Sequence, residues 1–138
     1  MTTSSNKALI TQAFEGLAQG DGRAFVNLLH EDVVMTVTGD YSWSRTFHGK
    51  ESLFRDLYLY LAEICPGVRR TVASRILADE DWVIVEARGD MTTRAGDPYQ
   101  NHYLLMYRFE NGKIVEMKEY QDSALCERVL GPYQSSPD

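Results

Sequence analysis

The sequence predicts an α+β domain in which helices cover one face of a curled, mostly antiparallel sheet. Three observations predict it. Apolar residues recur at helical spacing in three segments of the first half of the chain, with a single β-branched run, Val33 to Thr38, between the second and third. The second half reads as consecutive long strands, and Asn111-Gly112 is a strong hairpin signal. A run of helices followed by a run of hairpin-linked strands segregates helices to one side of a sheet. Strands of about ten residues twist and curl. Helices laid across the open side then make a cone with an apolar interior, so three N-terminal helices are expected on the concave face and a short helix at the C-terminus.

Each element has its own warrant. Ser4, Ser5 or Asn6 can cap a first helix carrying Leu9, Ile10, Ala13, Phe14 and Leu17 on one face. Gly20-Asp21-Gly22 ends it, and a short second helix presents Phe25, Leu28 and Leu29, with His30 at its C-terminal end. After the strand Val33 to Thr38, the loop Gly39 to Gly49 is rich in large groups: Tyr41, Trp43, Phe47 and His48. Lys50 to Cys65 predicts a third helix with Leu53, Leu57, Leu61 and Ile64 in line, stopped by Pro66-Gly67. Val68 to Ala78 predicts a strand. Three more follow between Asp81 and Asp122, joined by turns at Ala95-Gly96-Asp97-Pro98 and Asn111-Gly112, and Ser123 to Leu130 closes the chain as a helix.

Composition narrows the function. At 138 residues, with 43% hydrophobic and 25% charged, residues 1–138 suit one globular domain with a real core. The net charge of -6, without a Lys/Arg cluster, argues against nucleic acid and against an anionic membrane surface. No apolar run approaches a membrane span, and the N-terminus lacks signal-peptide character. Cys65 and Cys126 lack framework spacing and are expected as reduced thiols in a cytoplasmic protein. The three histidines are scattered, and no Gly-rich nucleotide loop or Gly-x-Ser-x-Gly is present. No metal and no cofactor are therefore expected.

The Asn111-Gly112 turn offers a register. If Glu110 opposes Lys113, Leu104 opposes Glu119, Met106 opposes Met117 and His102 opposes Gln121, so these share one face. Glu119 is then a carboxylate among Leu104, Met106 and Met117. Tyr103, Leu105, Tyr107, Phe109, Ile114, Glu116, Lys118 and Tyr120 fall on the opposite, aromatic-rich face, which would suit a second copy packing sheet to sheet. The preceding hairpin leaves two registers open, and a one-residue slip turns Arg88 and Asp90 to the other side. In one of them Arg88 opposes Leu104 and Asp90 opposes His102, making a carboxylate-guanidinium-carboxylate cluster with Glu119. Such a cluster can divide acid and base roles between two carboxyls. The same residues could equally be a buried structural ion pair.

The order of elements, the run GDGRAFVNLLHEDVVMTV and the closing run NHYLLMYRFENGKIVEMKEYQDSAL resemble the SnoaL-like branch of the nuclear transport factor 2 superfamily over nearly the whole chain. That superfamily includes ketosteroid isomerase, limonene epoxide hydrolase, polyketide cyclases, phenazine-biosynthesis proteins and members without catalysis. The resemblance implies that Arg88, Asp90 and Glu119 stand where the epoxide hydrolase has its Arg, Asp and Asp triad. Met35 and Val37 replace the tyrosine and asparagine that help hold that enzyme's water, which tells against epoxide hydrolysis. The isomerase's base and oxyanion tyrosine would fall near Val37 or Thr38 and near Ala13 or Phe14. In the phenazine-biosynthesis proteins Glu119 falls on the acid/base glutamate.

The expected function is cofactor-independent acid/base catalysis on a small, largely apolar molecule, of cyclase, isomerase or epoxide hydrolase type. Glu119, Arg88 and Asp90 would carry the chemistry; His102, Leu104, Met106, Met117, Tyr41 and Trp43 would contact substrate. The alternative is a non-catalytic homodimer that binds a small ligand or serves as a scaffold, with Arg88, Asp90 and Glu119 as a structural network. Either way, a homodimer through the outer sheet face is expected.

Overall fold

A computed structural model describes residues 2–134. Helix α1 (Thr3–Leu17) starts one turn earlier than expected, because Thr2 and Ser5 form a reciprocal capping box. Its buried Ile10, Ala13 and Phe14 face the sheet. Helix α2 (Arg23–Leu28) buries Phe25. The chain then turns directly into β1 (Leu29–Val37), so His30 belongs to a strand, where its Nδ1 accepts the Asp32 amide. The following loop contains a short strand, β2 (Thr46–His48), paired back on β1.

The third helix is interrupted. Segments α3 (Lys50–Leu53) and α4 (Leu59–Ile64) are joined by a π-helical turn over Phe54–Tyr58, in which the Leu59 amide donates to the Phe54 carbonyl. One extra residue in the turn rotates the face, so that Phe54, Leu57, Tyr58 and Leu61 all look inward. The sheet comprises β1, β2, β3 (Arg70–Asp79), β4 (Trp82–Thr92), β5 (Pro98–Tyr99), β6 (His102–Glu110) and β7 (Lys113–Gln121), followed by α5 (Ser123–Leu130). Its order is β2-β1-β7-β6-β4-β3, with β5 paired on β4. All pairings are antiparallel except β1 with β7. This is the curled α+β sheet, roofed by N-terminal helices, that the order of elements predicts.

Asn111 (φ 49) and Gly112 (φ 77) form a left-handed hairpin turn, and Glu110 opposes Lys113 as expected. Beyond Ile114 the register changes. Phe109 opposes Ile114, but Arg108 opposes Glu116, so Val115 is an extra, bulged residue. Every later residue of β7 therefore meets a partner one position away from that expected: Glu119 opposes Leu105, and Met117 opposes Tyr107. The inner face consequently carries Tyr103, Leu105, Tyr107, Phe109 and Ile114, which the uninterrupted register had placed outside. Of the residues expected outside, Glu116, Lys118 and Tyr120 remain there.

Candidate functional site

The core is not filled. A cavity of about 310 Å³ lies between the concave face of the sheet and the helices, walled by Phe14, Phe25, Leu57, Leu105, Met117 and other apolar groups. Of the residues around it, only Gly20 is well exposed, so the opening lies at the turn between α1 and α2. At the far side, the loop before β2 is clamped to the C-terminal region. Trp43 Nε1 donates to the Gly131 carbonyl (2.8 Å), the Ser42 amide and hydroxyl donate to the Glu127 carboxylate, and Arg45 lies 4.1 Å over the Tyr133 ring. Tyr60 and Tyr133 close around Trp43 edge to face.

Glu119 is the one carboxylate on this cavity wall among the described residues. Its backbone is fixed, since the Thr38 amide and hydroxyl both donate to its carbonyl at 3.0 Å. Its carboxyl has no hydrogen-bond donor and no cation within ion-pair distance among the described residues, and the surface it retains faces the cavity. Burial without a partner disfavours the charged form and pushes its pKa up to about 7. The carboxyl group is thus poised to exchange a proton near neutrality.

Tyr58, Tyr103 and Tyr107 stand around it on the cavity wall. Burial and the nearby carboxylate raise all three phenols well above their ordinary range, so each stays a neutral hydroxyl. The Tyr58 and Tyr107 hydroxyls make no protein hydrogen bond among the described residues and are available to an oxygen atom inside the cavity. Gly89 on β4 gives Tyr103 its room: a Cβ there would lie 3.0 Å from the tyrosine ring. Beside Glu119, Gln121 donates to the Tyr41 hydroxyl (2.8 Å) and accepts from Tyr99 (3.2 Å) and Asn101 (3.1 Å). Fully buried Asn101 also donates to Tyr99 (2.7 Å) and to the Asp122 carbonyl, while its Oδ1 accepts the His102 and Asp122 amides. This lattice holds the end of β7. Cys126 lies against it, its thiol pushed up to about 11 by burial.

The expected site residues divide between the two faces. Glu119, Met117 and Trp43 line the cavity. Tyr41 touches it through Gln121, and burial raises its phenol to about 12. Arg88, Asp90, His102, Leu104 and Met106 do share one face, as one of the two registers allowed, although Arg88 opposes His102 rather than Leu104. That face is the convex one. Arg88 donates to Gln100 (3.1 Å), which in turn donates to Asp90 (3.4 Å), and Asp90 opposes Arg70; all four are exposed. The carboxylate-guanidinium-carboxylate cluster is therefore not assembled, either as machinery or as a structural network. The single residue at Val115 is the physical reason. The uninterrupted register also hid Tyr103 and Tyr107. The spacing of Tyr103, Leu105 and Tyr107 puts them on one face whatever the register, but whether that face was inside depended on the bulge.

Comparison with known proteins agrees with this architecture. An NTF2-like protein of unknown function from Burkholderia pseudomallei superposes with a TM-score of 0.77 at 19% identity, over 91% of this chain and 96% of that one. A proposed SnoaL-like polyketide cyclase from Jannaschia gives 0.76 at 13% identity, over 98% and 95%. A proposed isomerase from Bacillus subtilis gives 0.74 at 18%, over 97% and 100%. At such identities the likeness is one of fold. No curated protein matches the sequence. The SnoaL-like domain family matches residues 10–117, which take in most of the sheet and stop two residues before Glu119, and the chain belongs to that family.

Proposed function

We propose that this protein is a cofactor-independent acid/base enzyme acting on a small, largely apolar molecule, and that Glu119 moves the proton. The observation that carries this reading is a lone carboxyl, without ion-pair partner, on the wall of an apolar cavity and poised near pH 7. A structural carboxylate would be expected to have a partner. In the ionised form Glu119 takes a proton from a carbon next to a carbonyl group; the acid so formed returns it elsewhere on the substrate. Tyrosine hydroxyls on the same wall can donate to the oxygen on which charge develops. Isomerisation and cyclisation both follow from that step. The fold neighbours named as a proposed cyclase and a proposed isomerase support it by analogy alone. Arg88 and Asp90, on the convex face, have no part in the step.

The test is turnover by wild type and Glu119→Gln on β,γ-enones, polyketide-like diketones and epoxides, with circular dichroism to verify the fold. An activity drop of roughly a hundredfold or more is expected on the carbonyl substrates. The wild-type kcat/KM should fall as pH drops below about 7, where Glu119 takes up its proton. Equal rates in both proteins would overturn the assignment, and no turnover on any substrate would leave the cavity as a non-catalytic ligand site. The same reading includes a cytoplasmic homodimer. Among the described residues no helix is long and apolar enough to cross a membrane. The convex face exposes Val72, Leu77, Leu104 and Tyr120, an apolar area suited to a second copy.

A further inference from the structure

The wall that carries one acid also carries one base. Among the described residues, Arg69 is the sole cationic side chain lining the cavity. It lies immediately before β3, the edge strand, three strands away from β7 and Glu119 across the concave face. The opening is beside it: a Cβ on Gly20, the exposed lining residue, would lie 2.7 Å from Val68 Cγ1 and 3.6 Å from the Arg69 carbonyl. One edge of the guanidinium is tethered, Nη1 donating to the Cys65 carbonyl (2.9 Å) and the Gly67 carbonyl (3.2 Å). Those bonds hold the half-buried side chain in place at the end of α4. Nε and Nη2 donate to no protein group, and no carboxylate lies within ion-pair distance among the described residues. Two residues on, Thr71 faces the same cavity, and its hydroxyl makes no protein hydrogen bond among the described residues.

We infer that Arg69 and Thr71 form an anion subsite at the cavity mouth, and that the substrate is an apolar molecule bearing a carboxylate. A planar guanidinium with two free donors matches a carboxylate, and the adjacent hydroxyl can supply a further bond. The apolar body then extends inward along Leu105 and Tyr103, and the reacting carbon lies at Glu119. The two charged groups act on different parts of the ligand. The subsite also gives the ligand one orientation, since the only other charged wall group repels an acid end whenever it is ionised. The inference rests on the proposed function for the role of the deep end, but the mouth subsite is tested by binding alone.

The experiment is calorimetric titration of 2-naphthaleneacetate and its methyl ester, one apolar body with and without the charge, into wild type, Arg69→Gln, Thr71→Val and Glu119→Gln. Wild type should prefer the acid by roughly tenfold or more, as expected for a charge-assisted hydrogen-bonded pair, and the preference should shrink as salt rises. Arg69→Gln should abolish the preference while leaving ester affinity within a factor of about two, and Thr71→Val should reduce it. Arg69→Lys keeps a positive charge near the helix end and should retain part of the preference, which guards against misreading a folding defect. In Glu119→Gln the preference should persist. An equal or greater affinity for the ester in wild type, or an acid preference untouched by Arg69→Gln, would overturn the subsite. Neither result depends on turnover, so failure here and failure of the acid/base reading are separable.

Discussion

Glu119 makes a claim on stability as well as on chemistry. Its folded-state pKa of about 7 lies above the ordinary 4.5, so the native protein binds a proton that the unfolded chain has released. Below pH 4.5 both states are protonated and the group is neutral to stability. As pH rises from 4.5 to 7 stability falls, and above 7 the penalty is complete, at roughly 3 kcal/mol from about 1.4 kcal/mol per unit. Glu119→Gln removes that slope. Urea titrations at pH 4.5 and pH 8 should show the variant gaining roughly 2–3 kcal/mol on wild type between the two. Asp21 and Asp56, whose arginine neighbours lower their pKa, titrate below this window and do not obscure it. A constant offset between the proteins would show that Glu119 is solvated rather than enclosed. This residue was legible as an oddity, a carboxylate inside an apolar run. Its neighbours were not, because a long-range register decides which side chains surround it.

At the scale of elements, local chemistry was the most legible. The Asn111-Gly112 hairpin, the stop at Pro66-Gly67 and the apolar faces of α1 and α2 follow from turn preferences and helical spacing. Register breaks escaped, at Ser74 on β3 and between Leu29 and Val34 on β1; two that shape the cavity are the π turn at Phe54–Tyr58 and the bulge at Val115, each adding one residue to an otherwise regular element. Periodicity counts residues evenly, so it is blind to a place where the backbone counts one twice. Both insertions serve the cavity: the first turns Tyr58 inward, the second Glu119. The hairpin itself can be tested. Gly112 has φ 77, where a side chain clashes with its own backbone, so Gly112→Ala should lower unfolding stability by about 1 kcal/mol in a denaturant melt. No loss would mean that the turn does not hold the pairing of β6 and β7.

For the whole molecule, layer order was legible from the succession of helices and strands, and the site was legible only as a location on the concave face. The convex face has its own consequence. Leu104 and Tyr120 are directly opposed on neighbouring strands and both exposed, with Met106 two residues along on the same face. If two copies pair there, light scattering should report the mass of two chains for wild type and of one chain for Leu104→Glu, with an unchanged far-ultraviolet spectrum. A wild-type monomer at micromolar concentration would remove the dimer from the reading.

The bulged valine leaves a last consequence, for inheritance. Loss of one codon between Ile114 and Met117 would remove the extra residue, and Glu119 would still oppose Leu105. Lys118 and Tyr120 would stay outward and Glu119 inward, so the proton carrier survives a shortening by one residue. A one-residue lengthening has no such slack: unless the added residue is bulged out as well, it turns the distal half of the strand over.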